Sequence, residues 1–230
     1  MRHNNIVSAI EWLPEHLFTE EIVEAAVQSK EIEVLSHIPG RFLTSERIER
    51  IIAGSTESWH SFELRNIPEE CRSQAVCDFA IRKRSKNIAS VPEAMITRGM
   101  VEEIIKHGRG DFDILANIPE RLWDAKLAYT ALRCYIYEPY STSDRNQSIM
   151  ETNLILGYVA GSVKTREFYY GMLDETKISS TVTDTVTPSR FKNKAYYIKM
   201  AEHDLSLVPA RFYSHEILRA AVCSTDSTNP

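Results

Sequence analysis

The chain has 230 residues, 43% of them hydrophobic and 26% charged, with 27 Lys and Arg against 32 Asp and Glu for a net charge of −5. That is apolar material for a sizeable core, and the acid excess argues against a broad nucleic-acid-coating role, which draws on clustered cations. No run reaches the roughly 18 apolar residues of a membrane helix, and the opening MRHNNIVSAIEWLPEH has no apolar stretch before a small-residue cleavage site, so a non-membrane, cytoplasmic protein is expected.

Prolines organise the chain. Apart from Pro230, each is followed five positions later by Ser, Thr, Asp or Asn, at Thr19, Thr44, Ser73, Thr97, Asp124, Asp144, Asn193 and Ser214. Those residue types fill roughly a quarter of the chain, so eight hits in eight would arise by chance on the order of once in 10^5, which marks an internal repeat. They are also the types that cap helix N-termini.

The first unit sets the pattern. Ile10 and Leu13 precede Pro14, Leu17 and Phe18 follow it, and after Thr19 come Ile22, Val23, Ala26 and Val27. That i, i+1, i+4, i+5 spacing is one face of an α-helix. The second unit repeats it with Leu35, Ile38, Phe42 and Leu43, and the third with Leu64, Ile67, Cys71, then Val76, Cys77, Ala80 and Ile81. In the fourth come Ile88, Val91, Met95 and Ile96, then Met100, Val101, Ile104 and Ile105; in the fifth, Leu115, Ile118, Leu122 and Trp123. The residue before the cap is often large and apolar, as in Phe18, Leu43, Ile96, Trp123 and Tyr213, and can staple the fourth helical residue; Arg72 breaks the rule. Each unit therefore reads as a short helix, a proline-marked turn, a cap and a second helix of about three turns. Proline either closes the first helix or opens a one-turn helix of its own; the pattern leaves both open.

The middle is irregular. Pro139 keeps its cap at Asp144, but Gln147, Ser148 and Glu151 fall where the core stripe belongs, while Ile149, Met150, Leu154 and Ile155 suggest a slipped or later helix. The next unit has Ala160 in place of proline, with Leu156, Val159, Val163, Thr165, Phe168, Tyr169, Met172 and Leu173 in frame. The stretch 177–187, KISSTVTDTVT, is expected to be a long loop, with a short strand through Val182 and Val186 as the alternative. Pro188 restores the frame through Phe191, Asn193, Tyr196, Tyr197 and Met200, and Pro209 closes it with Leu205, Val208 and Phe212. The expectation is an all-α chain, an α-solenoid of about nine helix-turn-helix repeats of 20–29 residues forming one domain over 1–223. Its regular repeats would cover 6–133 and 188–223, its degenerate ones 134–187, and a disordered tail 224–230.

Leu115-Ala-Asn-Ile-Pro-Glu-Arg-Leu-Trp-Asp124 and Ile88-Ala-Ser-Val-Pro-Glu-Ala-Met-Ile-Thr97 resemble a family of bacterial and viral tandem helical repeats catalogued as a domain of unknown function. Its units read A-L-x-x-V-P-E-E-L-K-T-x-E-L-C-L-x-A-V. Leu17-Phe-Thr-Glu-Glu-Ile-Val-Glu-Ala-Ala-Val27 and Phe212-Tyr-Ser-His-Glu-Ile-Leu-Arg-Ala-Ala-Val222 are similar to the second half of that unit. The resemblance covers about two-thirds of the chain and implies an α-solenoid binding scaffold, such as a phage- or pathogen-encoded factor that sequesters or inhibits a host defence protein. It implies no catalytic residues.

Residue chemistry points the same way. The seven histidines are scattered, with no HExxH and no Cys/His spacing for zinc, and Cys71, Cys77, Cys134 and Cys223 form no CxxC pair and read as reduced thiols. A phosphate-cradling glycine loop and a G-x-S-x-G elbow are both missing. No enzyme activity, metal or cofactor is expected. His37, two before Pro39, reads as a turn or packing histidine, and Arg109-Gly110-Asp111 as a chance integrin-type tripeptide in an inter-helix turn.

Three features could meet a protein partner. Seven of ten tyrosines fall within residues 129–170, among them Tyr135, Tyr137 and Tyr140. They could form a binding hot spot or fill a core whose Leu/Ile pattern has drifted. Trp59 and His60 lie in an insertion at 54–61, the kind of projection that carries recognition in repeat proteins. Arg82, Lys83, Arg84 and Lys86 form a basic run at a helix end, where cations complement the dipole; nucleic-acid binding through that run is the alternative function.

Overall fold

The computed structural model describes residues 6–54, 62–107, 111–136, 145–175 and 178–225. Among them are α-helices, 3₁₀ turns and connecting loops, and no strand. The α-helices are α1 (Ile6–Glu11), α2 (Glu20–Ser29), α3 (Ser45–Gly54), α4 (Gln74–Lys83), α5 (Arg98–His107), α6 (Ala125–Ile136), α7 (Arg145–Tyr158), α8 (Arg166–Glu175), α9 (Ser180–Val186), α10 (Lys194–His203) and α11 (His215–Thr225).

The question left open at the prolines is answered seven times alike. Pro14 has φ −57° and ψ 140°, and its carbonyl accepts the N–H of Leu17 at 2.9 Å, so proline opens a one-turn 3₁₀ helix over Glu15–Leu17. Pro39, Pro68, Pro92, Pro119, Pro188 and Pro209 do the same, each carbonyl taking the N–H three residues on at 2.8–3.0 Å. The ring fixes φ near the required value and the missing N–H has no role there. Two residues follow, the first extended except at Arg72 and Lys192, and the second one caps the α-helix.

The caps lie where the spacing places them. Side-chain oxygens of Thr19, Thr44, Ser73, Thr97, Asp124, Asn193 and Ser214 accept the N–H three residues on, at distances from 2.7 Å for Asp124 to 3.4 Å for Thr19. Each cap carbonyl also accepts the N–H four residues on. Asp144 lies outside the described residues. Thr165 caps α8 in the unit without proline, where the turn is closed by Val163 N–H to the Ala160 carbonyl at 3.0 Å. Asp124 combines the shortest cap bond with a charge at a helix N-terminus, so Asp124→Ala should cost about 1–2 kcal/mol in thermal unfolding.

Two expectations are corrected. Most of the expected loop or strand is helix: Ser180–Val186 is helix α9, capped by Ser179 through the N–H of Val182 at 3.3 Å. Its threonines have modest helix propensity, but Thr185 and Thr187 return their hydroxyls to the carbonyls of Thr181 and Thr183, and Val182 and Thr183 are buried. After Asp144 the expected slipped helix is α7, one helix from Arg145 to Tyr158, and its stripe is what differs. Its buried stripe is Thr152, Ile155, Leu156 and Val159, while Met150 and Leu154 are exposed. The described residues contain eight turn-cap-helix segments; the turn and cap expected at Pro139 and Asp144 lie outside them.

The chain forms two compact units, residues 1–107 and 108–230. In the first, α2, α3, α4 and α5 each pack on the next, and α1 packs on the 3₁₀ turn Ile32–Ser36. Core positions such as Val23, Ile48, Ile51, Leu64, Cys77 and Ile104 are fully buried. In the second, α6, α8, α10 and α11 form one row, and the turn Phe112–Asn117, α7, α9 and the turn Leu205–Leu207 form another. Tyr196 and Met200 lie at the centre of a cluster with Leu173, Tyr197, Val208 and Ile217.

Candidate interaction surface

Polar side chains in both units are engaged in joining consecutive repeats. In the first unit Arg41 pairs with Glu15 and donates to its carbonyl at 2.9 Å, Arg47 pairs with Glu20 and Glu24, and Arg50 pairs with Glu24 at 3.1 Å. Arg50 and Arg47 beside Glu24 hold its carboxyl below the usual range. Where the residue before the cap is a cation, its head group ties turns together: Arg72 donates back to the Ile67 carbonyl and forward to the Ser90 carbonyl, Lys164 donates to the Leu156 carbonyl, and Lys192 pairs with Asp184 at 3.2 Å. Arg72, the exception in the staple pattern, thus replaces apolar contact with two carbonyl bonds.

The tyrosines of the second unit do similar work. Tyr129 and Tyr170 both stand five residues after a cap. Tyr129 stacks on Phe168 at 5.1 Å and donates to its carbonyl at 2.9 Å, and Tyr170 donates to Asn193 Oδ1, the next cap oxygen, at 2.6 Å. Tyr169 meets Phe191 at 5.5 Å and Tyr197 meets Phe212 at 4.5 Å. Tyr135 is 4% exposed against the Phe112 ring, with no hydrogen-bond partner for its hydroxyl among the described residues. Of the two readings of the tyrosine concentration at 129–170, Tyr129, Tyr135, Tyr169 and Tyr170 therefore take the packing role.

Burial pushes the Tyr129 and Tyr135 phenols from the ordinary value of 10 up to about 12. An unfolded chain would lose those protons near pH 10 while the folded one keeps them to about 12, so stability should hold below pH 10 and fall as pH rises from 10 to 12. Parallel alkaline titrations followed by phenolate absorbance and by circular dichroism check this: ionisation and loss of helix should coincide.

Of the other residues singled out in the sequence, Trp59, His60, Tyr137 and Tyr140 lie outside the described residues, as does most of the Arg109-Gly110-Asp111 tripeptide. The basic run gathers at the C-terminal end of α4. Arg84 pairs with Glu63 at 2.7 Å and Lys83 lies 5.4 Å from the Phe79 ring centre, while Arg82 and Lys86 are exposed. Cys71 and Cys77 are buried, and burial raises both thiols above their ordinary range, which keeps them protonated and unreactive. Among the described residues no group of His, Cys, Asp and Glu could hold a metal ion, and no helix is long and apolar enough to cross a membrane.

Sequence reasoning missed one hollow. Between the first and second proline turns lies an open depression of about 310 Å³ lined by Leu13, Glu15, Phe18, Ser36, His37, Ile38, Pro39 and Gly40. Its rim carries the Arg41–Glu15 pair, with Arg41 stacked 4.9 Å from the Phe42 ring centre. The available signal was the recurrence of Arg two residues after proline at 41, 121, 190 and 211, three times followed by Phe. Arg190 and Arg211 stack on Phe191 and Phe212 in the same way. A second hollow, lined by Ile32, Leu35, Phe62, Asn66 and neighbours, has about 20 Å³, room for roughly one water.

The fold and these surfaces define an all-α protein built from capped turn-and-helix segments. Comparison with protein-family models, with curated proteins and with solved structures finds no match.

Proposed function

We propose that the chain is an α-solenoid scaffold that binds another protein without catalysis, and that the depression between its first two proline turns receives a segment of that partner. The observation that carries this reading is the depression itself, an open and mostly polar hollow lined by Glu15, Ser36 and His37 beside Leu13 and Pro39, over the buried side chains of Phe18 and Ile38. Such a surface suits a short polar or charged stretch of a partner chain, of the kind found at the polar part of a protein contact. Two features support the solenoid: neighbouring helices pack in rows within each unit, and the same positions bond repeat to repeat. Sequestration or inhibition of a host protein would follow from such capture.

Gly40 offers the test. Gly40 lies on the lining, and a Cβ there would meet only Pro68 Cγ at 3.5 Å, an ordinary contact, so Gly40→Trp should fold and add bulk at the edge of the hollow. Wild-type protein should retain a partner from native-host lysate that reconstitutes with purified components, Gly40→Trp should lose it, and Arg82→Glu/Lys86→Glu should keep it. Retention by Gly40→Trp would overturn the site. Exposed Arg82 and Lys86 favour a second reading, nucleic-acid binding; it predicts an electrophoretic shift that weakens steeply with salt and disappears in Arg82→Glu/Lys86→Glu.

A further inference from the structure

The repeat itself specifies what covers each helix face. The fourth residue after the cap is Val23, Ile48, Cys77, Val101, Ala128, Tyr169 and Tyr197 in the first seven segments, and each is buried at 5% exposure or less. In the last segment the same position is Leu218, 46% exposed. The third residue after proline behaves as the mirror image. It is buried or half-buried in every later segment, but Leu17 of the first is 48% exposed. These two positions meet each other inside the second unit: Tyr169 packs on Phe191 at 5.5 Å, and Tyr197 on Phe212 at 4.5 Å. Among the described residues Leu218 is thus a receptor without its knob, and Leu17 a knob without its receptor.

We propose that the chain self-associates head to tail, the outer face of its last segment receiving the outer face of the first segment of a second copy, with Leu17 seated on Leu218. This goes beyond the partner-binding reading and uses a different surface. The contact continues an interface the molecule already makes between its own repeats. Charge agrees. Residues 6–30 carry five glutamates against one lysine, and residues 205–225 two arginines against one glutamate. The ion pair between Lys194 and Glu216, 2.7 Å across α10 and α11, links the first residue after one cap to the second after the next. Transposed to the join, it places His215 against Glu21, both exposed. Trp12, 81% exposed, gives the first segment a second large apolar side chain for the contact. Two different faces make a heterologous contact, which extends unless geometry closes it into a ring.

Sedimentation velocity from micromolar to millimolar protein tests this, with circular dichroism confirming that each variant keeps its helix. Wild type should form a concentration-dependent series of oligomers. Leu17→Asp and Leu218→Asp, each losing one face at a half-exposed site, should weaken association by about tenfold or more. An equimolar mixture of the two should give a one-to-one dimer and nothing larger, because one intact head meets one intact tail. A wild-type monomer throughout, unchanged association in either variant, or no dimer in the mixture would each overturn the proposal. None of these results bears on capture through the Gly40 depression.

Discussion

Asn87→Ala is expected to destabilise the protein by about 3 kcal/mol, since each buried polar group left unsatisfied costs about 1–3 kcal/mol. Asn87 is 5% exposed and stands where the backbone of the 62–64 stretch meets the C-terminal half of α4. Its Oδ1 accepts the Leu64 N–H at 2.9 Å, and its Nδ2 donates to the Phe62 carbonyl at 3.2 Å and the Ala80 carbonyl at 3.0 Å. Alanine would strand the N–H of Leu64, whose residue is fully buried. Aspartate would keep the acceptor, lose both donors and place a charge in the core, so Asn87→Asp should cost more than Asn87→Ala at neutral pH. Urea unfolding gives the totals. Amide exchange adds a local readout, because Leu64 should lose protection even where the rest of the first unit stays folded.

Gly171→Ala should also destabilise, by about 1–3 kcal/mol, although an exposed helix position would gain about 1 kcal/mol from the same change. A Cβ at 171 would lie 2.2 Å from the Tyr129 hydroxyl and 3.0 Å from its Cζ. That ring cannot simply swing away, because it stacks on Phe168 with planes 6° apart and its hydroxyl holds the Phe168 carbonyl. The expected signature is non-additivity. In a Tyr129→Ala background the clash is gone, and Gly171→Ala should become neutral or stabilising. Equal costs in both backgrounds would show that Tyr129 is not what requires glycine there.

The parts of the fold that were legible in the sequence are the local ones. A cap needs its own side-chain oxygen and an N–H three residues away, so Thr19, Ser73 and Asn193 announce their helices from spacing alone. The stripe after each cap is equally local. Whether proline ends a helix or opens a 3₁₀ turn depends on a single backbone bond that no side chain reports. Helix α9 was illegible for a different reason: its threonines favour extended backbone in isolation, and packing overrides that preference. Helix α7 hid because its buried stripe contains Thr152, a polar residue whose hydroxyl is returned to the Ser148 carbonyl at 2.7 Å.

The surface was less legible than the fold. Arg82 and Lys86 stand exposed as the basic run suggests, but Lys83 and Arg84 are drawn into contacts with Phe79 and Glu63 that only tertiary structure reveals. Tyrosine clustering carried two meanings, and Tyr129, Tyr135, Tyr169 and Tyr170 take the packing one because each ring sits beside another aromatic residue. Depressions between turns arise from segments about 25 residues apart in sequence, so periodicity can indicate that they recur but not which one is open.

Nuclear magnetic resonance of the folded chain tests the repeat most directly, through contacts between each cap's β-protons and the amide three residues on. All eight pairs, from Thr19 with Ile22 to Ser214 with Ile217, should give that cross-peak. The amides of Leu17, Phe42, Cys71, Met95, Leu122, Phe191 and Phe212, bonded to proline carbonyls, should exchange more slowly than in an unfolded chain. Missing cap contacts, together with those amides exchanging at unfolded rates, would contradict the proline-turn-and-cap repeat on which everything else is built.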